Sequence, residues 1–245
     1  MQPVNRVLSA LLVGAIGVST AAAAPPTSPT ANVAESTTTQ PTLATPLKVA
    51  LDEVVRPEFR EAVMKVVRQP TIATKAVGDD VVCTVAVYEW LFDHPDRVAL
   101  AWQRLKVPSI TINDLGGGKF AWVDECGSEI VWQTVGTFPD GRVWYATGKV
   151  KAGKAAPSIP VQGVIVVSHP RKVEKDGVAM FSPTAQAYMH SDSRAANLAL
   201  RAIGPAAPKI AEDAAGQLLD FFGVIANYVQ KNPKQADSLL GPPKK

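Results

Sequence analysis

From Ala206 to Gln230 large apolar residues recur at helical spacing: Ile210, Ala214, Leu218, Phe221, Phe222, Ile225 and Val229. The period predicts one long amphipathic helix, stopped by Asn232-Pro233. Lys209, Glu212, Asp213 and Gln217 sit near its start, while only Asp220 and Asn227 neighbour the later stripe. A stripe with two phenylalanines must be taken out of water. The rest of the chain must therefore supply an apolar surface long enough to cover it.

The block before it is strand-rich. Ser109 to Asn113 alternates through Ile110 and Ile112, Lys119 to Asp124 through Phe120 and Trp122, Glu129 to Val135 through Ile130 and Trp132, and Arg142 to Val150 through Val143, Tyr145 and Thr147. Gly116-Gly117-Gly118, Gly127 and Pro139-Asp140-Gly141 turn the chain between them, which predicts an antiparallel meander. Val161 to Ser168 adds a strand, and Asp176-Gly177 turns into another from Val178 to about Met189. Ahead of the meander, Leu47 to Arg68 reads as two helices, the second opened by Pro57. Asp80 to Ala86 reads as a strand, followed by short helices from Val87 to Asp93 and from Pro95 to Leu105. A helix from Asp192 or Ser193 to about Ile203 precedes Gly204-Pro205. The expected fold class is α+β: a curved antiparallel sheet of about six to seven strands packed on a long C-terminal helix, with extra N-terminal helices.

Strand, two short helices split by Asp93-His94-Pro95-Asp96, a run of strands and a long last helix: over Asp80 to Lys231 this order resembles the helix-grip fold of the START and polyketide-cyclase-like (SRPBCC) superfamily. The resemblance implies a sheet curled around the last helix with a cavity between them. The helices over 47–68 and 192–203 depart from the minimal pattern. Tyr88 to Pro95 and Arg142 to Ala146 also resemble segments of uncharacterised exported proteins of planctomycete-type bacteria, a likeness that carries no activity with it.

The N-terminus reads as an export signal over residues 1–24. Arg6 supplies the positive charge, Val7 to Val18 an apolar run of roughly 12 residues, and Ala21 to Ala24 the small residues of a cleavage site. The run is too short for the roughly 20 residues of a transmembrane helix. Residues 25–45, rich in Pro, Thr, Ser and Ala, are expected to be a disordered linker, 46–240 one domain, and 241–245 a loose tail. The expected location is periplasmic or secreted. The net charge is +3, about +2 without Arg6, too slight to favour nucleic acid or a membrane surface. In an oxidising compartment Cys83 and Cys126 are candidates for a disulfide closing a loop of about 42 residues, worth on the order of 3–4 kcal/mol; both could equally be small buried residues.

Chemistry-bearing residues are few. The histidines are His94, His169 and His190, without the spacing of a metal site, and neither metal nor cofactor is expected. His94 reads as a helix-junction residue, or as a general base at a cavity mouth. Asp124, Glu125 and Glu129 read as a solvated turn, and Arg142 and Arg171 as solvated strand ends able to meet an anionic ligand head. Ser128 and Ser168 lack a nucleophile-elbow context. The aromatics weigh more: Trp122, Trp132, Trp144, Tyr145, Phe221 and Phe222, with His94, are the candidate ligand-binding set. The reading is of an exported, non-catalytic module binding an apolar or lipid-like small molecule. The alternative is a structural or interaction protein with a solid core and no ligand, and an unidentified enzyme comes third.

Overall fold

The computed structural model describes residues 49–242 apart from 152, 195 and 197–203. The export signal, most of the linker and most of the helix expected over 192–203 lie outside the described residues. Two N-terminal helices come first, α1 (Leu51–Val54) and α2 (Pro57–Arg68). They lead into β1 (Ile72–Val77), β2 (Val81–Thr84), α3 (Val85–Asp93) and α4 (Pro95–Arg104). Thr84 ends β2 and starts α3, its Oγ1 accepting from the Val87 amide at 3.3 Å. His94 sits between the two helices, and Pro95 opens α4 at a position whose amide has no helical partner anyway.

The strands continue with β3 (Ile112–Gly116), β4 (Lys119–Val123), β5 (Glu129–Phe138), β6 (Gly141–Val150) and β7 (Ile159–Ser168). Then come β8 (Arg171–Lys175), β9 (Val178–Phe181) and β10 (Thr184–His190). The long helix α5 (Ala207–Lys231) and the short α6 (Ala236–Leu240) close the domain. Seven strands form one antiparallel sheet in the order β1-β10-β7-β6-β5-β4-β3, and β2-β9-β8 form a second, smaller one. The meander joins at the expected turns: Gly117 and Gly118 take φ of +63° and +70° between β3 and β4, and Asp176 and Gly177 take +54° and +76° between β8 and β9. The single strand expected from Val178 to Met189 is two, split at Ser182-Pro183 and placed in different sheets.

Strand alternation sorts the large sheet into two buried faces. Ile112, Phe120, Trp122, Ile130, Trp144, Ala146, Ile159, Val161 and Val167 belong to a core shared with Leu218, Phe221, Phe222 and Ile225 of α5. Val135, Val143, Tyr145, Val164, Val166 and Tyr188 point the other way and pack on Leu51 of α1, Val55 just after it, and Val63 and Val66 of α2. The N-terminal helices therefore cover the face that α5 does not. Their close approach needs Gly136 at the β5 bulge: a Cβ there would come within 2.7 Å of the Val54 carbonyl oxygen. The domain is α+β, with a seven-stranded antiparallel sheet on a long C-terminal helix, a helix-grip arrangement with added N-terminal helices. Among the described residues no helix is long and apolar enough to cross a membrane.

Candidate functional site

Between the sheet and α5 lies a cavity of about 40 Å³, within about 530 Å³ of unfilled space that is continuous with solvent. Its walls come from every layer around it. β4, β5 and β6 send in Trp122, Ile130, Trp132, Trp144 and Ala146; α5 sends in Leu218, Phe221 and Phe222. Ile112, Ile165 and Pro95 complete it. Register explains the grouping: Phe120 is opposite Trp132 and Trp122 opposite Ile130, so two tryptophans lie diagonally on one face. Trp132 is opposite Ala146, whose small side chain leaves room beside it. The Trp144 indole donates to Thr134 Oγ1 at 3.1 Å, which ties off its polar edge. Only apolar ring surface is then offered inward. On volume the cavity has room for about three waters, but such a lining gives them no partners.

Five of the seven candidate residues thus meet around one space: Trp122, Trp132, Trp144, Phe221 and Phe222. Tyr145 does not join them. It follows Trp144 in the strand and so faces the opposite side, against Phe59 of α2 at 6.1 Å between ring centroids. His94 is also outside: its ring stacks on Trp90 at 4.2 Å, and its Nδ1 is 2.8 Å from the Trp90 carbonyl oxygen. Only its neighbour Pro95 reaches the cavity. Cys83 and Cys126 are free thiols in this structure: Cys83 is buried in β2, opposite Ala179 of β9, and Cys126 lies half-buried in the β4–β5 turn. Burial pushes the Cys83 thiol up to about 12. In that turn Asp124 Oδ1 accepts from the amides of Cys126 and Ser128, each at 2.8 Å, a structural task.

Arg142 is not solvated. It faces the α5 side of β6, only 4% exposed, and its guanidinium is shared between Glu89 and Asp93 at the end of α3. The same guanidinium sits 5.0 Å from the centroid of Phe92. His169, 2% exposed, places Nε2 3.4 Å from Glu89 Oε1 and stacks on Phe92 at 5.2 Å. Burial lowers the His169 pKa, against the opposing pull of Glu89, so the ring is biased to neutrality. Tyr88 meets Phe92 edge-on at 4.9 Å, and burial raises its pKa far above the ordinary phenol range. Glu89 and Asp93, one helical turn apart, were the available signal for a shared cation; Arg142 stands at an inward position of β6. Arg171, by contrast, is on the surface beside Glu174.

Among the described residues no group of three or more His, Cys, Asp or Glu could hold a metal ion. No protein-family model matches the chain, and no curated protein matches it in sequence. Solved structures overlap it loosely. A conserved protein of Geobacillus kaustophilus is 10% identical, at a TM-score of 0.41, over 64% of this chain and 95% of its own. Ara h 8.0201 is 13% identical, at 0.39, over 66% and 99%. A hypothetical protein of Helicobacter pylori is 10% identical, at 0.40, over 75% and 99%. At these scores the overlaps carry no argument about activity.

Proposed function

We propose that this chain is an exported, non-catalytic binding module that holds a small apolar molecule between its sheet and its last helix. The observation that carries the reading is the convergence of three tryptophans and two phenylalanines from four elements on one space without a polar lining. A compact planar molecule suits such walls, because ring faces offer large contact area and favour offset or edge contacts. The reading extends the START-like resemblance of the sequence, and the export signal read over residues 1–24 is what supports a periplasmic or secreted location after cleavage near Pro25.

A second reading is an interaction protein of the envelope with an essentially solid core. Its support is the cavity's modest volume of about 40 Å³. Calorimetric titration with naphthalene separates the two. Binding should be measurable in the wild type and abolished in Ala146→Val, which adds two methyl groups to the cavity wall. Absence of heat with wild-type protein, or unchanged binding by the filled variant, removes the binding reading.

A further inference from the structure

Three buried polar atoms on side chains around Phe92 lack a hydrogen bond: Arg142 Nε, Tyr88 Oη and His169 Nε2, the last with only the Glu89 carboxylate nearby at 3.4 Å. Their side chains are 4%, 2% and 0% exposed. All three pack on the ring of Phe92, at 5.0, 5.2 and 4.9 Å. The same ring lies 4.5 Å from Phe222 and 5.8 Å from Trp144, two walls of the cavity. Phe92 therefore stands between the apolar cavity and a group of buried, unsatisfied polar atoms. Buried polar groups are almost always paired, so unpaired atoms on three side chains around one ring call for a further partner, a water or a ligand.

We propose that Arg142, His169 and Tyr88 form the polar end of a larger binding site, closed here by Phe92, that takes the neutral hydroxyl or carbonyl oxygen of a compact and otherwise apolar molecule. This rests on the binding reading above. Size allows the enlargement: the enclosed part of the cavity is about 40 Å³, short of the about 150 Å³ of an apolar cavity that holds benzene. An aromatic probe must therefore also use the open part, within about 530 Å³ of unfilled space, or the room behind Phe92. Phe92 is in the last turn of α3, next to the break at His94-Pro95, where the helix has no further turn to hold it. Its displacement would extend the cavity toward the three polar side chains. Chemistry points to the oxygen: the Arg142 Nε–H can only donate, and the Tyr88 hydroxyl can donate. Charge points to neutrality. Arg142 is already matched by Glu89 and Asp93, Asp140 adds to the field on His169, and His169 is biased to neutrality, so a carboxylate head would enter a site already in negative excess.

The test is calorimetric titration of the full protein with naphthalene, 2-naphthol and 2-naphthoate, in wild type and Tyr88→Phe. Tyr88→Phe deletes only an oxygen that has no partner, so the fold should tolerate it. Wild type should bind 2-naphthol at least about tenfold more tightly than naphthalene, the gain of a hydrogen bond in a desolvated site. 2-Naphthoate should bind more weakly than 2-naphthol. Tyr88→Phe should bring 2-naphthol down to the naphthalene value and leave naphthalene unchanged. If naphthalene binds but 2-naphthol has no advantage, or keeps it in Tyr88→Phe, the polar end is overturned, its atoms are met by water only, and the apolar cavity stands. Tighter binding of 2-naphthoate also overturns it. If no probe binds, both readings fall together. Phe92→Ala should tighten 2-naphthol, because the ring no longer has to be displaced; a folded variant that binds it no better overturns the closing role.

Discussion

Phe222→Ala is the most informative single substitution. Phe222 is 2% exposed, on the inner stripe of α5, with its ring 4.5 Å from Phe92, 5.0 Å from Phe221 and 5.8 Å from Trp144. Burying such a side chain contributes about 1.5–3 kcal/mol by transfer from water alone. A cavity term adds to it, because neighbours relax only partly around the gap. Here collapse is resisted from both sides: Trp144 is fixed by its bond to Thr134, and α5 is anchored where the Trp102 indole donates to the Phe221 carbonyl at 3.0 Å. The expected loss is therefore about 3–5 kcal/mol, the range for deleting a buried phenylalanine. Asp213→Ala on the same helix removes an exposed ion pair with Lys209 at 2.9 Å and should stay within about 0.5 kcal/mol. Urea melts compare the two: with m of about 2–3 kcal/mol/M, the Phe222→Ala midpoint should fall by roughly 1–2.5 M. Naphthalene should raise it again, since a ligand that binds only the folded state stabilises it by mass action. Equal midpoints for the two variants would mean that α5 is not the inner wall of the core.

Acid should weaken the fold in part through His169. Its folded pKa is depressed below about 6.5, so the unfolded chain takes up a proton first as pH falls, and stability present above that value is lost below it. Between pH 7.5 and 5.5 the wild-type urea midpoint should drop more than that of His169→Gln; parallel curves would assign the pH dependence elsewhere. Native protein treated with iodoacetamide without reductant should gain one adduct, at half-buried Cys126, since Cys83 is enclosed and its thiol is held up at about 12. Two adducts should appear in urea, and none at all there would show that the pair is oxidised.

The sequence made the long helix and the meander legible because each face of α5 and of β4, β5 and β6 is uniform in character. Strand β1 was not: Ile72-Ala73-Thr74-Lys75-Ala76-Val77 alternates weakly and is fixed as an edge strand by its pairing with β10. Arg171 to Lys175 is nearly all charged, and becomes β8 only through β9. At the site, alternation alone separates Trp144 from Tyr145, which composition had grouped together. The Arg142 cluster was hidden for another reason. Glu89, Asp93 and Arg142 look like ordinary surface charges until the α3 helix end is laid over the start of β6, 49 residues away from Asp93 in sequence.

Native mass spectrometry of protein purified gently from its own cells tests the central claim most directly. The account predicts wild-type protein carrying an added mass of one small molecule, lost on denaturation, and Ala146→Val without it. Bare protein in both, or the same added mass in both, would contradict a ligand held between the sheet and the last helix.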